Sequence, residues 1–128
     1  MSSAPTQVDY DDIQGLVRFG HGRLTEARFH LLRIADLAAA RQWLAAAPVT
    51  HAAEQYPLPD TALQIAFSAE GLRALGIEPA VLDGFSAEFR SGMAGDLDRS
   101  RRLGDVAGND PATWTWGTGD RAPHLLVM

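Results

Sequence analysis

Four histidines are the residues of this chain best suited to proton transfer or metal binding: His21, His30, His51 and His124. No pair stands at the i, i+4 spacing of a helical metal site, and no HExxH string occurs. His30 falls in an alternating stretch, so it can reach one face of a sheet. An isolated histidine is otherwise read as partly exposed or internally satisfied. Asp9, Asp11 and Asp12 make a short acidic run that reads more simply as a solvated tail than as a cation site. Asp96, Asp98, Arg99, Arg101 and Arg102 could clamp a carboxylate or a phosphate. The simpler expectation is a solvated loop whose charges pair among themselves. Trp114 and Trp116, two residues apart, would share one side of a strand. They could form a stacking platform or an electron relay, or fix a loop against the core. Ser86 and Ser91 have no histidine at nucleophile-elbow spacing, and neither 92–95 nor 104–108 matches a phosphate loop. No cysteine is present, which excludes a disulfide scaffold, a thiolate metal site and a cysteine nucleophile.

These side chains need elements to position them. The 128 residues amount to one domain, with 46% hydrophobic and 21% charged residues, a balance unlike that of disordered or membrane chains. All eleven basic residues are arginine, and alanine is abundant, so a coding bias weakens any argument from arginine alone. A net charge of −5 argues against general nucleic-acid binding. The N-terminal stretch is polar and acidic rather than signal-like, and no run approaches the ~20 apolar residues of a membrane span. A cytoplasmic location is the resulting expectation.

Residues 1–10 are expected to form a flexible tail and 11–128 a single domain. Alternation over 27–34 predicts a strand, central in its sheet because apolar residues fill both faces. Asp36 suits the N-cap of a helix over 37–47, with Leu37, Ala40, Leu44 and Ala47 on its apolar stripe, Arg41 opposite, and Pro48 as its stop. A weak strand over 49–53 and a Pro-containing loop follow. Thr61 to Phe67 predicts a strand with Leu63, Ile65 and Phe67 on one face, expected as core beside Leu31, Leu44, Leu72 and Leu75, and Ala62, Gln64 and Ala66 on the other. Ser68 caps a helix that closes at Gly76. Helical turns are expected at 79–83 and after Ser86. A long irregular insertion, with a short strand at 113–116, leads to a last strand at 125–128. The order is that of an α+β, ferredoxin-like βαββαβ sandwich, with two helices on one face of an antiparallel sheet. The other face, with Arg28 and His30 or their alternates beside Ala62, Gln64 and Ala66, is left for another copy, another protein, or the insertion to cover.

Several strings resemble the N-terminal region of Dyp-type (dye-decolourising) haem peroxidases. Asp12-Ile13-Gln14-Gly15 resembles that family's opening signature, and 29–47 its first strand and helix. The stretch 63–76 is similar to its next strand and helix. Residues 84–93, then Arg102-Leu103-Gly104-Asp105, then 109–117, follow in the same order. The resemblance runs over nearly the whole chain from Asp11. It implies two stacked ferredoxin-like domains with haem held mainly by the second, and peroxide-driven oxidation of organic substrates. The family's GxxDG motif has no counterpart: Asp83-Gly84 ends a similar pentapeptide, but Ala80 stands at the first glycine. The proximal histidine and distal arginine belong to the family's C-terminal part. No catalytic, haem-ligating or metal-ligating residue is therefore carried over, and no tight haem binding is expected of this chain alone. The chain is thus expected to be an N-terminal domain or stand-alone fragment, inactive by itself. The expected partner is a second copy or a haem-binding C-terminal half. Two alternatives are a dimeric ferredoxin-like enzyme for a small ligand and a non-catalytic partner docking by its open sheet face.

Overall fold

The computed structural model describes residues 7–128. Most of the expected tail, residues 1–6, lies outside them. Its last residue, Tyr10, touches the domain: Tyr10 O accepts the Ala52 amide at 3.0 Å and its ring lies 4.2 Å from the Arg18 guanidinium.

The fold is α+β: a three-stranded antiparallel sheet with several short helices. After a 3-10 turn at Tyr10–Asp12 come α1 (Gly15–Phe19), β1 (His30–Leu32) and α2 (Leu37–Ala46). Then follow β2 (Ile65–Phe67), α3 (Ala69–Ala74), α4 (Pro79–Asp83), α5 (Ala87–Ser91), α6 (Leu97–Leu103) and β3 (Leu125–Val127). No helix is long and apolar enough to cross a membrane among the described residues.

The helix signals act as expected. The Asp36 carboxylate accepts the Ala39 amide at 2.9 Å, the Ser68 hydroxyl that of Gly71 at 3.0 Å and the Ser86 hydroxyl that of Phe89 at 3.2 Å. Each satisfies an amide that the first helical turn leaves free. Gly76, at φ 74°, takes the left-handed position that ends α3.

Sheet order departs from expectation. β3 lies in the middle and runs antiparallel to both neighbours, so the order is β1-β3-β2. β1 is an edge strand, not a central one, and Leu31 and Leu32 are both exposed. The fourth strand, expected at 49–53, contributes one bridge, His51 to Gln14. The physical reason lies in the excursion between β2 and β3. It contains α4, α5, α6 and three 3-10 turns, so it is not irregular. It brings the chain back to the end of β2 it left, where the Ser68 amide donates to His124 O at 3.1 Å. Entering there, β3 must run opposite to β2.

Ile65, Leu125 and Val127 form the buried core, with Leu44, Ala47, Leu63 and Phe67 packed against it. The expected apolar face of 61–67 is therefore the helix-covered one. Arg41 is exposed, opposite the apolar stripe as expected, and its guanidinium donates to Leu75 O at 2.7 Å, tying α2 to the end of α3. On the opposite face Leu31, Leu126 and Ala66 lie side by side in register. Leu31 and Ala66 are exposed and Leu126 is half-buried. The helical excursion does not fold across them. Gln64, expected on this open face, is instead buried beneath α1.

Candidate functional site

The end of the sheet at Gln64 is where separate stretches of sequence bring polar groups together. Ile65 pairs with Val127 at a position where its own N–H and C=O point to the outer edge of β2. Gln14 meets both groups. Its Nε2 donates to Ile65 O at 2.7 Å and its Oε1 accepts the Ile65 amide at 2.8 Å, so one carboxamide stands in for a missing strand. Gly15 is needed beside it, because a Cβ there would lie 2.8 Å from His51 O and 3.2 Å from the His21 ring. The Ile13-Gln14-Gly15 string is thus a structural lock on the sheet edge.

Gln14→Met, which keeps the volume but removes both polar ends, should lower stability by about 1–3 kcal/mol, the usual cost of an unpaired buried group. Chemical denaturation measures it. Gln14→Glu should be impaired at neutral pH, because a carboxylate cannot donate to Ile65 O, and should recover on acidification as the protonated acid regains a donor. A variant series with no loss in either case would show the lock to be dispensable.

Gly20 (φ 63°) and His21 (φ 50°) are both left-handed and turn the chain so that the His21 ring comes back over Gly15. For a histidine this backbone is uncommon and strained. His21 and His51, distant in sequence, now line one cleft of about 530 Å³, with Phe19, Tyr56 and Leu58 as its apolar members. Gln64 Oε1 faces the Leu16 amide at 3.4 Å and its Nε2 donates to Thr50 O at 3.2 Å. That orientation presents its amino group to His21 Nε2 at 3.4 Å. Gln55 Nε2 lies 3.0 Å from His51 Nε2. With Gln55 donating, His51 carries its proton on Nδ1, which faces Asp11 Oδ1 at 3.6 Å.

Asp11 stays largely exposed, and at 3.6 Å its carboxylate is too far to hydrogen-bond the ring, so His51 Nδ1 is buried without a partner. Asp9 caps the turn that carries Asp11, accepting its amide at 3.1 Å. The nearby Thr50 hydroxyl accepts the Leu63 amide at 2.9 Å.

The other two histidines stand apart. His30 sits exposed on the edge strand. His124 is buried, and its Nδ1 accepts the Ile34 amide at 2.9 Å. Burial, and secondarily the Arg33 charge, push its pKa below the ordinary 6.5. The unfolded chain then binds the proton more readily than the folded one. The stability that His124 contributes is complete above about pH 6.5 and falls as pH drops through and below that value. A titration of the His124 ring by NMR should give a midpoint below 6.5, and a midpoint above it would contradict this burial.

Among the described residues no group of three or more His, Asp or Glu gathers as a metal site requires. In His21 and His51 the Nε2 atoms face carboxamides, in His124 the buried Nδ1 accepts a backbone amide, and the His30 ring stands exposed.

The charged run is a helix, not a loop. Asp96 caps α6 by accepting the Arg99 amide at 3.0 Å, and this bond, then the Arg99 charge, lowers its pKa. The charges do pair among themselves, Arg99 with Asp96 at 3.9 Å and Arg101 with Asp98 at 3.6 Å. Trp114 and Trp116 lie on no strand. Trp114 Nε1 donates to Asn109 O at 3.0 Å and fixes its loop, whereas Trp116 is 58% exposed.

The meeting of His21, His51, Gln55 and Gln64 was not legible in sequence, because the four come from segments with no common spacing. The one local signal was Gly15, a residue whose lack of Cβ implies close approach of other chain. Comparison with protein-family models and with curated proteins finds no match for this chain.

Proposed function

We propose that this chain is the non-ligating N-terminal domain, or a stand-alone fragment, of a Dyp-type haem peroxidase. In this reading it has the ferredoxin-like layout of that family's domains and docks by its open sheet face on a haem-holding half. The single observation that carries the docking is the apolar row Leu31, Leu126 and Ala66, left open at an edge strand, with Phe29 just before it 63% exposed. Apolar surface of this kind, beside an edge strand with free backbone groups, is the physical form of an unfinished interface. The family assignment rests on the ordered strings from Asp12 to Gly117. The strings also mark structurally constrained places: the Gln14–Gly15 lock, the Asp36 and Ser68 caps, and the helical excursion.

In this role the haem chemistry is the partner's, and this chain supplies a surface. Dye oxidation by the chain mixed with haem and peroxide should therefore not exceed that of free haem. Turnover well above free haem, with a Soret band shift lost on substituting one histidine, would overturn the reading. Leu31→Asp should abolish association with a second copy or a haem-holding half in light scattering and leave the unfolding midpoint unchanged. A strict monomer, whose open-face amides stay protected from exchange at every dilution and in the presence of such a half, would equally overturn it.

A further inference from the structure

The helical excursion builds a larger cleft, of about 760 Å³, that shares no lining residue with the one holding His21 and His51. It lies between the start of α3, α5, α6 and the loop at 116–123. Its wall is mainly carbon. Met93, Leu103 and Trp116 line it, each more than half exposed, with Phe89 beside them. Three large apolar side chains facing one concavity are the surface that a small apolar ligand would dehydrate.

One polar group is built into that wall. The Arg99 side chain is 21% exposed, and its Nη2 donates to the Ser91 hydroxyl at 2.8 Å and to Gly92 O. A guanidinium has five N–H donors, so these bonds hold Arg99 in place and leave others unused. Asp96 is 3.9 Å from Nη1, too far for a hydrogen bond. The remaining charges on the wall limit what can enter. Glu70 is bound to Arg73 at 2.8 Å and Arg90 to Asp83 at 3.2 Å. Glu88 forms no ion pair within 4.0 Å among the described residues but feels the Arg99 charge, so together they favour one negative charge at Arg99 over several.

A fixed guanidinium at the border of an aromatic and thioether wall selects a flat apolar body with a single anionic end. We propose that this cleft binds an aromatic monocarboxylate, its ring against Trp116 and Met93 and its carboxylate on Arg99. This site is independent of the docking face and of the family reading.

The test uses the full chain, isotope-labelled for NMR, titrated with 2-naphthoate. The Trp116 indole N–H resonance should move and saturate, while those of Trp43 and Trp114 stay in place. 2-Naphthylmethanol, with the same rings and no charge, should bind about tenfold more weakly, the value of one charge-assisted hydrogen bond. Arg99→Met should erase the difference between acid and alcohol, and Trp116→Ala should weaken both. Because Arg99 also holds Ser91 and Gly92, the comparison of acid with alcohol on the unaltered chain tests the proposal without any variant. Equal affinity for the two, an unmoved Trp116 signal, or equal movement of all three indoles would overturn it.

Discussion

Gly71→Ala should destabilise the chain by about 3 kcal/mol or more, at or beyond the upper end of ordinary overpacking. A methyl group built at Gly71 lies 1.8 Å from His124 O and 2.6 Å from its carbonyl carbon. Both are backbone atoms at the start of β3, so no side-chain rotation relieves the clash. The helix cannot easily slide away either. Ser68, at its N-cap, donates from its hydroxyl to Pro123 O at 2.7 Å and from its amide to His124 O at 3.1 Å. Moving α3 outward breaks these bonds and uncovers Ala69, which is buried. Against the 5–15 kcal/mol typical of a domain, such a loss is a large share of the total. Gly108→Ala is the matched control: no atom lies within 4 Å of its added methyl, and about ±0.5 kcal/mol is expected, as at other open surface positions. Urea denaturation of both variants decides the matter. A loss at Gly71 near the control value would mean that α3 does not cross β3 this closely.

Ile65→Ala should cost about 2–5 kcal/mol, the range for removing a buried branched side chain and leaving a cavity. Ile65 is 6% exposed and sits between Val127 and the helix-covered side of the sheet. Phe67→Ala should cost less, although phenylalanine is larger and alternation places both on one face. Phe67 is only half-buried, so part of its ring is solvated already and its removal leaves an open dent rather than a void. Equilibrium unfolding of the two variants gives the order directly. A larger loss for Phe67 than for Ile65 would place the true centre of the core one pair further along β2.

The contrast between these two residues shows how far alternation can be taken. A period of two says which side chains share a face, and Leu63, Ile65 and Phe67 do share one. It does not say where along the strand the covering layer ends. Similarly, Ala66 on the other face is exposed, but Gln64 on that same face is buried under α1. Beside it Gly15, 49 residues earlier in the chain, has no Cβ and so lets His51 O approach closely.

What the amino-acid order determined by itself was local. The caps at Asp36, Ser68 and Ser86, the stop at Gly76, the helical turns at 79–83 and 87–91 and the last strand all follow from interactions within a few residues. The energies involved are settled by neighbours in the chain. Tertiary structure decided the rest. It placed β3 between β1 and β2 and took Trp114 and Trp116 off a strand. It drew Asp11, His21, His51, Gln55 and Gln64 to one end of the sheet. These outcomes depend on which distant backbone groups need partners. Ile65 could be satisfied by another strand or by the Gln14 side chain, and only the folded geometry chooses between them.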